Sequence, residues 1–260
     1  MAAGFMIDRL CYCSKLRRVN AYVKFMYTVS TLICCIISRS FLIAGIVLVV
    51  NGILTVGIGK IPFARYRNMM LMPLMFLLLS TAAILINFAK EPMDGYAIPV
   101  GDMFITGSRA ALISGGALIA TAMASVSCLY FFTLNTTMTD VLGVMEKLHI
   151  PALMIELMML IYRFIFILLE EASSITTAQR SRLGDKDLRT SLRSFGQMAA
   201  ALLVRAIRRS RVLYDAMESR CYDGRLKVLR KNQPIEKKHL IMLVSYEVLI
   251  YGILIMEKII

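Results

Sequence analysis

The chain has 260 residues, 58% of them apolar, and its 30 Lys and Arg against 17 Asp and Glu leave a net charge of +13. An ordinary soluble chain is about 45–50% apolar, so this composition excludes a conventional soluble globule. It also excludes intrinsic disorder and a disulfide-rich secreted scaffold.

A spanning helix needs about 20 mainly apolar residues. Four runs in the first half approach that length: 23–37, 41–58, 69–88 and 110–134. Lys24 stands at the end of the first, where a long side chain is expected to snorkel to the interface. Only Ser38-Arg39-Ser40 separates the first two runs, which implies a tight hairpin. A fifth run, 240–256, lies near the C-terminus. No secretory signal is evident before the first run.

Basic residues in short loops set orientation. The N-terminal segment carries Arg9, Lys15, Arg17 and Arg18 against Asp8, and the loop after the second run carries Lys60, Arg65 and Arg67. The segment 90–109 holds Glu91, Asp94 and Asp102 with only two bases, and its Pro92, Gly95, Pro99 and Gly101 suit an irregular or hairpin loop. The N-terminus is therefore expected in the cytoplasm and the 90–109 loop outside.

Segment 135–239 holds most of the basic charge and is expected on the cytoplasmic side. A short helix over 140–149 ends before Pro151. The stretch 151–169 is apolar enough for a span, but Glu156, Arg163, Glu170 and Thr177 recur every seven residues as one polar stripe. A charge at mid-membrane costs about 2.5–3.5 kcal/mol even on the lenient scale. The reading is a long amphipathic helix over 152–180 at the cytoplasmic membrane face or packed under the other spans, with a sixth span as the alternative. Gly184-Asp185-Lys186-Asp187 breaks it, and a second long helix follows over 188–219. The fold class is thus an all-α integral membrane protein of about five transmembrane helices plus three cytoplasmic helices, two of them long. It divides into a four-span membrane domain (1–134), the cytoplasmic helical region (135–239) and a final transmembrane helix (240–260).

Enzymatic signals are poor. Gly52 to Gly57 begins like a phosphate-binding loop but fails at its defining Lys and Ser/Thr positions. His149 and His239 are isolated and read as interfacial or capping residues. Cys11-x-Cys13 has no matching pair, so no metal site is assigned. Cys34, Cys35 and Cys128 sit in apolar runs as small hydrophobes. Glu247, inside the last run, is a functional candidate or a protonated or paired group facing the bundle. The basic residues suit anionic headgroups rather than nucleic acid, because no exposed aromatic platform accompanies them.

Two motifs close the long helices: Ala178-Gln-Arg-Ser-Arg-Leu-Gly184 and Ala216-Met-Glu-Ser-Arg-Cys-Tyr-Asp-Gly224. They resemble the paired X-Arg-X signatures of the transmembrane coupling subunit, the T component, of energy-coupling factor (ECF) transporters. The usual form is Ala-Arg-Gly; here the triplets are Ser181-Arg182-Leu183 and Ser219-Arg220-Cys221. Ile7-Asp8-Arg9-Leu10, Leu16-Arg17-Arg18-Val19-Asn20, Val23-Lys24, Leu148-His149-Ile150-Pro151, Arg163-Phe164 and Leu169-Glu170-Glu171 are similar to the cobalt branch, the CbiQ family.

The resemblance implies a non-catalytic scaffold that joins two ABC-type ATPase subunits to a CbiM-like, substrate-specific membrane subunit. It implies no cofactor on this chain, with ATP and Mg bound by the partner ATPases. Both triplets become ATPase-coupling residues, supported by Ala178, Arg180, Ala216, Met217, Glu218 and Gly224. A nickel or vitamin importer of the same type is the alternative, and a membrane-embedded transferase a more distant one.

Overall fold

The computed structural model describes residues 11–12, 14–85, 87–89, 96–100, 103–107, 109–224 and 237–259. The run Ile7 to Leu10, Cys13, Glu91, Pro92, Asp94, Gly95, Gly101, Asp102 and the His239 side chain lie outside the described residues. The chain divides into two compact units, Met1–Val141 with Lys231–Ile260, and Leu142–Arg230.

The first unit opens with a 3-10 turn at Lys15–Arg18, capped by Ser14. Helix α1, Ala21–Ser38, starts on Asn20, whose side chain accepts from the Tyr22 amide at 2.9 Å. The turn to α2 (Phe41–Gly52) is as tight as the sequence implies. Arg39 takes a left-handed φ of 48°, and the Ser40 hydroxyl caps α2. This helix widens into a π-helix over Ile53–Ile58. Helix α3 runs over Phe63–Leu85, with Pro73 inside it.

That placement corrects one expected boundary. The helix of the third apolar run begins earlier than 69, because Arg65 and Arg67 ride on the first two turns of α3. It also ends before Phe88, which lies in strand β1 (Asn87–Ala89). Strands β2 (Tyr96–Val100) and β3 (Met103–Gly107) form the expected hairpin. Strand β1 adds to β3, making an antiparallel sheet of order β1-β3-β2. Helix α4, Arg109–Asn135, follows, and α8, Lys237–Ile259, closes the unit.

One buried cluster joins Cys34 and Cys35 of α1, Ile43, Ala44 and Val47 of α2, Ala124 and Cys128 of α4, and Ile250 of α8. A second joins Ile61, Tyr66, Met70, Met123 and Leu134. Helix α4 contributes to both. Several polar groups between the helices find one another, as an apolar solvent favours. Tyr27 donates to Asn51 at 2.8 Å, Asn51 donates to the Cys128 sulfur at 3.2 Å, and Tyr66 shares a 3.1 Å bond with Ser127.

Lys24 does not snorkel. It is only 3% exposed, and its Nζ donates to the Asn135 carbonyl at 2.6 Å and the Leu16 carbonyl at 3.3 Å. The C-terminal carbonyl end of α4 offers the ammonium a better partner than a distant interface. Asn135 is itself fully engaged: its Oδ1 accepts from Ser14 at 2.6 Å and its Nδ2 donates to the Phe131 carbonyl at 2.7 Å.

The second unit carries helices α6, Ala152–Ser181, and α7, Leu188–Glu218. The short α5, Met138–Lys147, leads into it and is followed by a turn in which His149 is left-handed, φ 61°. Among the described residues, five helical segments are long and apolar enough to cross a membrane: Ala21–Ser38, Phe41–Ile58, Ile113–Asn135, Ala152–Ser181 and Leu240–Glu257. Helix α3 spans 23 residues, about 34 Å at 1.5 Å per residue. Helix α6 qualifies by composition but belongs to the unit with α7. The molecule is a multi-pass, all-α membrane protein with one small sheet between α3 and α4.

Candidate functional site: two arginine-tipped helix ends

Helices α6 and α7 form an antiparallel pair. Near the connecting turn, the Gln179 amide donates to the Ser194 carbonyl at 2.8 Å, and the Ser194 hydroxyl donates to the Gly184 carbonyl at 2.9 Å. Further along, Thr176 donates to the Met198 sulfur at 3.2 Å. Glu171 then pairs with Arg205 at 3.7 Å and Arg209 at 3.3 Å. At the far end the Tyr222 hydroxyl donates to Glu156 at 2.8 Å, and that carboxylate pushes the phenol up from its ordinary pKa. A helix of 30 residues is about 45 Å long. The C-terminus of α6 and that of α7 therefore lie at opposite ends of a rod of about that length.

Both ends are built alike. At the end of α6 the Gly184 amide donates to the Gln179 carbonyl at 2.8 Å and the Leu183 amide to the Arg180 carbonyl at 3.0 Å. At the end of α7 the Tyr222 amide donates to Met217 at 3.1 Å and the Cys221 amide to Glu218 at 3.0 Å. These are the 6→1 and 5→2 bonds of a Schellman ending. Each ending turns on a left-handed residue, Leu183 at φ 59° and Cys221 at φ 57°. Arg182 and Arg220 occupy the position just before it. The preceding serines tie back to their own helices, Ser181 to Thr177 and Ser219 to Ala216, each at 3.0 Å.

All six triplet residues are exposed. Among the described residues, the ion pairs use Arg180 (with Asp185, 3.6 Å), Arg205 and Arg209, and neither Arg182 nor Arg220 enters one. The helix carbonyl end holds a cation at each tip favourably, and the guanidinium forks stay available for a bidentate acceptor. Of the supporting residues, Met217 and Glu218 supply the carbonyls of the second ending. Ala178 is exposed on the last turns of α6, Ala216 accepts from Ser219, and Gly224 has a φ of 82°.

The break falls between Ser181 and Leu188, as the sequence implies, and two of its details come from the structure. Gly184 does not supply the left-handed residue; Leu183 does. Gly184 is required by space, since a Cβ there would lie 2.8 Å from the Gln179 carbonyl oxygen and 2.9 Å from the Ser194 hydroxyl. Asp187 precedes α7 as its N-cap, but its side chain makes no capping bond. The stitching residues Gln179, Ser194 and Glu171 carried a weak signal. Arg205 and Arg209 are four apart on one helix face, and a single carboxylate opposite can take both.

An L-residue in the left-handed region costs about 1–2 kcal/mol, and glycine avoids most of that. This explains physically why the resembling motif ends in Gly. Leu183→Gly and Cys221→Gly are each expected to stabilise the protein by about 1 kcal/mol, seen as a higher unfolding midpoint in detergent. A lower midpoint would contradict the left-handed assignment.

The family model for the cobalt transport protein CbiQ matches residues 13–231. The chain is 31% identical to an uncharacterized protein of Methanocaldococcus jannaschii over 254 residues, covering 94% of this chain and 92% of that protein. It is 28% identical over 258 residues to a protein of Methanocorpusculum labreanum described as a fused cobalt transport protein CbiMQ, covering 97% of this chain and 42% of that one. It is 36% identical over 172 residues to the cobalt transport protein CbiQ of Rhodobacter capsulatus, covering 66% and 65% of the two chains. A match over this much of the chain, including both arginine-tipped ends, is decisive: the protein belongs to the CbiQ family of cobalt transport proteins.

Proposed function

We propose that the chain is the non-catalytic coupling subunit of an ATP-driven, ECF-type cobalt importer. It joins two ABC-type ATPase subunits to a CbiM-like membrane subunit that captures the metal. ATP and Mg belong to the ATPases, and this chain holds no cofactor. The observation that carries the reading is the pair of like helix endings, each presenting an exposed arginine outside the ion pairs of the described residues, at opposite ends of one helical hairpin. Two ATPase subunits that approach and separate with nucleotide need two handholds set well apart, and the α6–α7 rod supplies them. A relative described as a CbiM–CbiQ fusion supports a CbiM-like neighbour.

In mechanical terms, each guanidinium docks in a groove of one ATPase against carboxylates and backbone carbonyls. Closure of the ATPase pair shifts the two tips, and the Glu171 and Glu156 ties make α6 and α7 respond together. The basic N-terminal segment and the charge of 135–239 favour a cytoplasmic position for both, on the side where ATP is found. Charge reversal at both arginines is the test. Loss of ATPase retention with the chain still folded in the membrane is expected, and full retention with normal cobalt uptake would overturn the proposal.

A further inference from the structure

Glu247 stands ten residues in from Lys237 and twelve from Ile259, near the midpoint of α8. Ser30, near the midpoint of α1, donates its hydroxyl to Glu247 Oε2. Ser30 also shares a 3.1 Å bond with the Tyr251 hydroxyl. The second carboxyl oxygen, Oε1, is buried and has no hydrogen-bond partner. The ion pairs of the described residues all lie in the other unit, so no cation among those residues pairs with this acid.

A carboxylate in that setting would keep a full charge at mid-membrane with one oxygen bare, which the hydrocarbon disfavours strongly. A carboxylic acid would not. The Ser30 bond occupies Oε2, and Oε1 is left to carry the proton. The geometry points to Glu247 as a proton-holding carboxylic acid at the centre of the membrane unit and a site of covalent modification by hydrophobic carbodiimides.

The chemistry balances without any oxidant. The acid proton passes to a carbodiimide nitrogen, and the carboxyl oxygen bonds to the central carbon to give an O-acylisourea. The acyl group then shifts to nitrogen as the bond between its carbonyl carbon and that oxygen breaks, and the oxygen stays on the central carbon as the urea carbonyl. The product is a stable N-acylurea, and nothing leaves. The reaction requires the protonated acid and a reagent that enters the hydrocarbon. Both conditions hold at Glu247, and the exposed carboxylates of the second unit do not meet them.

The test treats the full chain in its native membrane with N,N′-dicyclohexylcarbodiimide and maps the adduct by peptide mass. One intact carbodiimide on Glu247 is expected. A water-soluble carbodiimide with an added amine should label surface carboxylates and spare Glu247. Infrared spectra of the wild-type chain give an independent reading, since a protonated acid shows a carbonyl stretch that Glu247→Gln removes. No adduct on Glu247, equal labelling of it by the water-soluble reagent, or carboxylate bands alone would overturn the assignment. This outcome is independent of whether the chain couples ATPases.

Discussion

Reversing both tip charges, Arg182→Glu with Arg220→Glu, is expected to abolish ATPase retention and cobalt uptake together. Breaking one desolvated Arg–carboxylate contact costs about 3–5 kcal/mol, a weakening of roughly 100-fold or more. A glutamate in the arginine's place adds repulsion between like charges. Each single reversal should loosen one ATPase and leave the other held. Lysine at either position should retain part of the affinity, because it keeps the charge but loses the planar fork. Folding should be unaffected, since both side chains are exposed and outside the ion pairs of the hairpin. Retained ATPase and radioactive cobalt uptake, measured on the same membranes, separate assembly from expression.

The second large effect concerns the membrane unit. At Gly59 a Cβ would run into the Thr55 carbonyl and lie 2.9 Å from Asn135 Oδ1. The Gly59 amide donates to Leu54 at 2.9 Å as the π-helix ends, and Lys60 turns the chain at φ 56°. Neither the backbone carbonyl nor the doubly bonded Asn135 can move aside cheaply. Gly59→Ala is expected to destabilise the protein by about 3 kcal/mol. Gly57→Ala is the internal control, because its Cβ would meet only Ile53 Cγ2 at 3.9 Å, an ordinary contact. Unfolding midpoints in detergent should fall sharply for Gly59→Ala and hold or rise slightly for Gly57→Ala. Equal effects would show that the close approach at Gly59 is not what matters.

The elements that sequence shows well are those whose signal is local. Unbroken apolar runs marked α1, α2, α4 and α8, and the Gly184 to Asp187 break divided α6 from α7. The signature motifs located both helix ends, though not their geometry. That Leu183 and Cys221 are left-handed depends on backbone bonds that composition does not reveal. The start of α3 was hidden because Arg65 and Arg67 dilute its apolar character. Strand β1 was hidden because Asn87 to Ala89 is short and finds its partner some 17 residues away. Lys24 is the clearest case of tertiary structure overriding local pattern. Nothing near it in sequence announces the Asn135 carbonyl that holds its ammonium. Glu156 likewise reads as one member of a polar stripe, yet it is buried and bound by Tyr222.

The most direct test of coupling places a photo-reactive amino acid at Leu183 or at Cys221 in turn, with the chain in its native membrane. Both residues are exposed and adjoin the tip arginines. Each position is expected to cross-link to an ABC-type ATPase subunit, and Arg182→Glu or Arg220→Glu to remove the product at its own tip. Cross-linking of both tips only to lipid, with cobalt uptake intact, would contradict the coupling role.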